Sequence, residues 1–66
     1  MKANVTNLMI AMARKNVNFG KLADVSGVSR QTLSYIKNGK SCKTDVAGKI
    51  AHALGVDVTE IFDVTE

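Results

Sequence analysis

Apolar residues recur near the start of the chain at the spacing of an amphipathic helix. The residues of this stripe are Val5, Leu8, Met9, Met12 and Ala13. Their i, i+3, i+4, i+7, i+8 spacing predicts a first helix with Met9 and Met12 in the core, followed by a turn at residues 16–18. Because no segment alternates polar and apolar residues for long enough to make a strand, we predict no β-sheet.

Capping residues and glycines divide the middle of the chain into two further helices. Asn18 is a favourable N-cap for a short helix over residues 19–26, and Gly27 follows at the position where a left-handed backbone is common. Ser29 is the next N-cap, so we predict a third helix over residues 30–37. Each of these helices has an apolar side and a polar side.

The last third of the chain predicts two more helices. Apolar residues at helical spacing run from about Thr44 to Leu54, and Gly55 then ends the fourth helix. Asp57 and Glu60 have the spacing of a capping box and open a short fifth helix. We predict that this helix continues through the apolar residues Ile61, Phe62 and Val64 and frays at its end. The whole pattern predicts an all-α, compact five-helix bundle.

Length and composition limit how such a bundle is stabilised. A single domain over residues 1–66 buries only about 60 % of the surface that its unfolded chain exposes, so its core is thin. Cys42 is the only cysteine, which excludes a disulfide within the chain. Cys42 and His52 together are too few for the usual four-ligand zinc site, and we predict neither a metal nor another cofactor.

Charge is divided unevenly between the two parts of the chain. Residues 1–43 contain eight lysines and arginines but one acid, Asp24, which gives a net charge of +7. Residues 44–66 contain Lys49 and five acids, which gives a net charge of −4. This asymmetry indicates a surface for a polyanion in the first part and a solvated or partner-facing second part.

The sequence contains no pattern typical of a membrane, secreted or enzymatic protein. From its first residues we expect no signal peptide, and no apolar run in the sequence approaches the ~20 residues that span a bilayer. It also lacks a phosphate-binding glycine loop, a metal-ligand set and paired carboxylates, so we predict that the protein is not an enzyme. We expect a cytoplasmic protein in which Cys42 is a reduced surface thiol.

Residues 19–37, FGKLADVSGVSRQTLSYIK, have a sequence pattern that is typical of two helices crossing steeply through a tight turn. Such a crossing needs a small residue where the helix axes approach, here Ala23, and a glycine in the turn, here Gly27. Leu33 and Ile36 are the inner residues of the second helix. Its outward side chains are Arg30, Gln31, Ser34 and Tyr35, with Thr32 and Lys37 at the flanks. Arginine and glutamine read guanine and adenine edges in the major groove.

The chain resembles the phage repressor and Cro-like helix-turn-helix family, often called XRE, in the segments LADVSGVSRQTLSYIKNGKS and KIAHALGVDVTEIF. The resemblance extends over about residues 5–64, with the helix-turn-helix at about 18–38. It implies a lambda-repressor-like bundle whose third helix lies in the major groove. It also implies a transcriptional regulator, repressor or Cro-like, that binds double-stranded operator DNA as a homodimer in the cytoplasm of a bacterial or phage-infected cell.

By that resemblance, the DNA contacts fall on and around the third predicted helix. The expected base contacts are Arg30, Gln31, Ser34 and Tyr35. The expected phosphate contacts are Asn18, Ser29, Lys37, Asn38, Lys40, Ser41 and Lys43. Many family members have a phosphate-binding glutamine at the first position of the second helix, where this chain has Phe19. That side-chain contact is therefore not carried over, although backbone N–H groups remain available there.

A second hypothesis is a protein-interaction module, such as an antitoxin-like or anti-repressor domain. Under this hypothesis Ile61, Phe62 and Val64, near the end of the acidic part of the chain, form an apolar patch for another protein. The same patch is a candidate homodimer contact, which is the more usual use that the resemblance implies.

Overall fold

The helices follow the predicted boundaries closely in the computed structural model, which describes residues 1–63. They are α1 (Val5–Lys15), α2 (Phe19–Ser26), α3 (Arg30–Lys37), α4 (Thr44–Leu54) and α5 (Val58–Ile61). Two short strands, β1 (Lys2–Ala3) and β2 (Phe62–Asp63), accompany them. The predicted all-α bundle of five helices is confirmed, with a small strand pair added to it.

Side-chain caps begin three of the helices at the residues that the sequence predicts. At the start of α2, Asn18 Oδ1 accepts a hydrogen bond from the Lys21 N–H at 2.8 Å. At the start of α3, Ser29 Oγ accepts one from the Thr32 N–H at 3.1 Å. At the start of α5, Asp57 completes the expected capping box. These bonds satisfy N–H groups that the first turn of a helix otherwise leaves without partners.

The Asp57 cap also makes the start of α5 sensitive to pH. The carboxylate of Asp57 accepts bonds from the Thr59 N–H and hydroxyl at 2.9 and 2.7 Å. These bonds lower the pKa of Asp57 below its usual value, because they favour the charged carboxylate. The resulting stabilisation is present above the pKa of this group in the unfolded chain. It is lost as the pH falls through the lowered pKa of the folded state.

One hydrophobic core connects the helices. Its buried residues are Leu8, Ala11, Met12, Leu22, Val28, Leu33, Ile36, Ala47, Ile50, Ala51, Leu54, Ile61 and Phe62. Within residues 1–63 no polar or charged residue is buried, so this core is stabilised by apolar packing. Leu33 and Ile36, the predicted inner residues of α3, are confirmed. In α4 the buried apolar residues recur at helical spacing, as predicted, and Val46 is only half-buried.

The predicted core stripe of α1 is wrong at Met9 and Ala13. Met9 is 47 % exposed and Ala13 is exposed as well, whereas Ala11 is buried. The packed side of α1, which faces α4 and α5, therefore includes Ala11. A single methyl group carries too weak a hydrophobic signal to locate that side from the sequence. Met9 and Ala13 instead line a shallow cleft of about 280 Å³ with Val17 and Phe19.

The β1–β2 pair corrects the prediction that the chain contains no sheet. The two strands run antiparallel, with Lys2 opposite Asp63 and Ala3 opposite Phe62. Strands of two residues are too short to produce an alternating pattern, so sequence periodicity could not reveal them. Their pairing places Phe62 in a strand directly after α5, where the sequence predicts that the helix continues.

The first residue of the chain is bonded to the connection between α3 and α4. The Cys42 N–H donates to the Met1 carbonyl at 2.8 Å, and the Met1 amino group donates to the Cys42 carbonyl at 3.1 Å. Cys42 is not the expected surface thiol, because its side chain is half-buried against the core. Burial raises the pKa of the Cys42 thiol, an effect that Asp45 reinforces and the Met1 ammonium opposes. The thiol is therefore less readily ionised than an exposed one.

Ile61 and Phe62 do not form the exposed apolar patch that the sequence suggests. Each is 1 % exposed, because both side chains pack into the core. Val64, the third residue of that patch, lies outside the described residues. Ile61 and Phe62 are therefore unsuitable both as homodimer contacts and as a docking site for another protein. Among residues 1–63, the large apolar side chains that are exposed are Met9, Ile10, Val25 and Tyr35.

The substitution Ile61→Val tests this burial. Removal of one buried methyl group should lower the free energy of unfolding by about 0.5–1.5 kcal/mol, since the neighbouring side chains only partly close the space. The matched control is Ile10→Val, at a residue that is 48 % exposed, where we expect a change near zero. Urea unfolding followed by circular dichroism measures both variants. An equal effect of the two substitutions would contradict the burial of Ile61.

Candidate nucleic-acid interface

The candidate base contacts lie together on the outer face of α3. These exposed side chains are Arg30, Gln31, Ser34 and Tyr35. At 3.6 residues per turn they span about 140° of the helix circumference. Leu33 and Ile36, on the other side of α3, are each 1 % exposed. The core therefore anchors one side of α3 and leaves the polar side open to a ligand.

The turn between α2 and α3 is held by its backbone and by one buried side chain. Gly27 has a φ of +74°, and its N–H donates to the Ala23 carbonyl at 3.0 Å. Glycine adopts this left-handed conformation without the steric cost that a side chain would bring. Val28 follows at 6 % exposure, and its N–H donates to Ser26 Oγ at 3.2 Å. The start of α3 is thus closely connected to the end of α2.

Arg30 extends beside the first turn of α2. A methyl group at Gly20 would lie 3.0 Å from Arg30 Nη2 and 3.4 Å from Asn18 Oδ1. Because glycine has no side chain, the guanidinium has room next to the α2 backbone. The starts of α2 and α3 therefore share one surface that is basic and polar.

Phe19 contacts a second cation of α3. The Lys37 Nζ lies 5.4 Å from the centroid of the Phe19 ring, which is within the range of a cation–π interaction. Phe19 is itself packed partly buried against the core, so its ring is a fixed support. From the sequence, Phe19 was only a departure from a family pattern. Its contact with Lys37 depends on how α2 and α3 cross, and no local signal could have revealed it.

The hydroxyl of Ser29 is fully engaged at the start of α3. It accepts from the Thr32 N–H at 3.1 Å and donates to Thr32 Oγ1 at 2.9 Å. In this arrangement the Ser29 proton is bonded to Thr32, so a phosphate would accept it only if the two hydroxyls exchanged their donor and acceptor roles. The geometry therefore gives Ser29 the role of a helix cap. The sequence places Thr32 only at the flank of the outward face. Its hydroxyl proton is not used in the bond with Ser29 as the structure shows it.

Further phosphate candidates lie at the end of α3 and on the connection after it, whose backbone is hydrogen-bonded to the end of that helix. These exposed residues are Lys37, Asn38, Lys40, Ser41 and Lys43. The Lys40 N–H donates to the Tyr35 carbonyl at 3.0 Å, and the Gly39 N–H donates to the Ile36 carbonyl at 3.1 Å. Asn18 is also exposed, and since its Oδ1 caps α2, its amide N–H groups are the donors that remain.

Other parts of the described structure contain fewer features that indicate a function. Within residues 1–63, no three His, Cys, Asp or Glu side chains are grouped closely enough to bind a metal ion. No helix in the same range has the length and apolar character needed to cross a bilayer. A cleft of about 400 Å³ lies between α1 and α5, and its lining includes Ile10, Arg14, Val56 and Glu60. The polar face of α3 is therefore the feature from which function is argued.

Comparison with known protein families agrees with this geometry. A family model described as helix-turn-helix, of the XRE type, matches residues 10–61, which is more than half of the chain. This is a family of DNA-binding regulators and not of enzymes. A search of curated proteins and a search of solved structures each found no match. The protein belongs to the XRE-type, Cro-like helix-turn-helix family of DNA-binding transcription regulators.

Proposed function

We propose that this regulator recognises a specific operator in double-stranded DNA by placing α3 in the major groove, and that it acts as a repressor or Cro-like protein. The observation that carries the proposal is the exposed face of α3, with its side chains Arg30, Gln31, Ser34 and Tyr35. Arginine pairs with O6 and N7 of guanine, and glutamine pairs with N6 and N7 of adenine. Arg30 and Gln31 therefore supply the strongest base discrimination.

Affinity comes from the cations and amides around this face. The proposed phosphate contacts are Asn18, Lys37, Asn38, Lys40, Ser41 and Lys43, while Ser29 keeps its role as a cap. Such contacts place the helix on the duplex but do not read its sequence. Five of the six acids of the chain lie in residues 44–66. The segment that contains α2, α3 and the following connection is therefore strongly positive, as a partner of DNA requires.

The proposal includes a homodimer on DNA, since one α3 reaches only a few base pairs. Two copies related by a two-fold axis recognise a longer, symmetric site through two half-sites. Because Ile61 and Phe62 are buried, we do not propose these two side chains for the contact between the copies. With DNA as the partner, the protein acts in the cytoplasm of a bacterial or phage-infected cell.

Salt dependence tests the phosphate contacts. The logarithm of the binding constant should fall linearly with the logarithm of the salt concentration, since each neutralised phosphate releases counterions. Lys40→Ala should weaken binding to all DNA sequences alike and reduce the slope by about 0.9 for each bound copy, which is about 1.8 for the homodimer. Fluorescence anisotropy with labelled duplexes at several salt concentrations measures both effects.

The matched control for Lys40→Ala is Lys49→Ala, which removes the same charge from the acidic part of the chain. We expect this control to keep the wild-type slope. Binding that is independent of salt would overturn the proposed function. Equal slopes for wild type and Lys40→Ala would remove Lys40 alone from the set of phosphate contacts.

Selection of bound duplexes from a random pool tests sequence recognition and the homodimer together. We expect a preferred site made of two inverted half-sites whose centres are about one helical turn, ~10 base pairs, apart. A preferred site without two-fold symmetry would contradict the homodimer but not the recognition of a sequence. A pool that remains random after selection would contradict the proposed operator.

Phe19→Leu tests whether the ring places Lys37 for DNA. Loss of the cation–π contact frees the Lys37 side chain, whose ordering on DNA then costs about 0.5–1.5 kcal/mol, so binding to every duplex should weaken by up to about this amount. Phe19→Tyr keeps an aromatic ring at this position and should bind as the wild type does. Anisotropy titrations measure affinity, and circular dichroism verifies that each variant is folded at the assay temperature. Wild-type affinity of the leucine variant would show that the ring does not contribute through Lys37.

A further inference from the structure

Gln31 and Tyr35 are joined by a hydrogen bond across one turn of α3. The Gln31 Nε2 donates to the Tyr35 Oη at 2.9 Å. Both side chains are exposed, and Tyr35 is 50 % exposed, so the pair stands on the outer face of the helix. An exposed glutamine side chain ordinarily occupies several rotamers. The bond to Tyr35 favours one of them.

The bond leaves Gln31 the atoms that it needs to read adenine. A glutamine amide has two N–H donors and one carbonyl oxygen, and Tyr35 takes a single N–H. The second N–H and Oε1 form the donor and acceptor pair that matches N7 and N6 of adenine. Because Tyr35 accepts through Oη, its own hydroxyl proton stays available for another acceptor.

The tyrosine is a suitable support for the amide. Its side chain has two torsions and a rigid ring, so it loses little conformational entropy when it is fixed. Residues four apart are neighbours on a helix surface, and the bond therefore requires no distortion of α3. A side chain that is ordered before binding loses less entropy in the complex than a mobile one. The pair is thus organised for recognition before DNA arrives.

We infer that Tyr35 is a positioning residue that determines base specificity through Gln31. This inference rests on the proposed function and deepens it, since it assigns the preference at one base pair to two side chains acting as a unit. The Tyr35 hydroxyl orients the amide, and the amide makes the base contact. Tyr35 is not a separate base contact under this assignment.

A double-mutant cycle on DNA specificity tests the inference. The proteins are wild type, Tyr35→Phe, Gln31→Ala and the double variant, and the probes are the selected duplex and its single-base-pair replacements. The base pair read by Gln31 is the one at which Gln31→Ala abolishes discrimination. At that pair, Tyr35→Phe should reduce discrimination by about three- to tenfold, the effect of one neutral hydrogen bond. In the Gln31→Ala background, Tyr35→Phe should change nothing further at that pair.

Each alternative role of Tyr35 gives a different result and overturns the inference. A loss of affinity that is equal on all duplexes would assign the hydroxyl to a phosphate, and a loss at a different base pair would make Tyr35 a direct base contact. Unchanged discrimination by Tyr35→Phe would show that Gln31 needs no support. These results leave the proposed function intact, whereas a wild-type protein without any sequence preference overturns both.

A measurement on the free protein separates positioning from a loss of folding. In wild type, the bond to Tyr35 should give the two amide protons of Gln31 clearly different NMR chemical shifts and slow their exchange with water. Tyr35→Phe should bring both properties to those of an unbonded glutamine, while the backbone spectrum of α3 stays the same. Amide signals that do not respond to Tyr35→Phe would overturn the inference without any DNA.

Discussion

The burial of Leu33 and Ile36 is the constraint on which the rest of the structure depends. Both side chains are 1 % exposed, so α3 cannot rotate about its axis without exposing apolar surface. Such exposure costs about 25 cal/mol for each Å². The orientation of the outer face, with Arg30, Gln31 and Tyr35, follows directly from this packing. The surface that we propose for DNA recognition is therefore positioned by the hydrophobic core.

Backbone hydrogen bonds hold the connection that follows α3 in position beside that helix. The pairing of β1 with β2 and the bonds between Met1 and Cys42 join the first residues to the connection that follows α3. That connection contains Lys40 and Lys43, the cations proposed to meet phosphates. Groups that are already in place lose less conformational entropy on binding. Main-chain hydrogen bonds thus help to position the proposed phosphate contacts, which lie outside the hydrophobic core.

Helix ends and the polar face of α3 were predictable because their causes are local. Asn18, Ser29 and Asp57 cap the helices where the sequence places them, and each cap acts within three residues. The buried side of α1 was not predictable at Met9, because the packing of α4 and α5 decides which apolar side chains of α1 are covered. Phe62 was misplaced for the same kind of reason, since a strand pair of two residues has no period to detect.

The sequence by itself determined the number of helices, the boundaries of α2, α3 and α4, and the chemistry displayed by α3. It could do so because capping and helical periodicity depend on residues within a few positions of one another. Only the tertiary structure decided which partners support that chemistry: the Phe19 ring beneath Lys37 and the space at Gly20 beside Arg30. These contacts join residues from different helices. They exist because α2 and α3 cross at one particular position, which core packing sets and which no short-range pattern encodes.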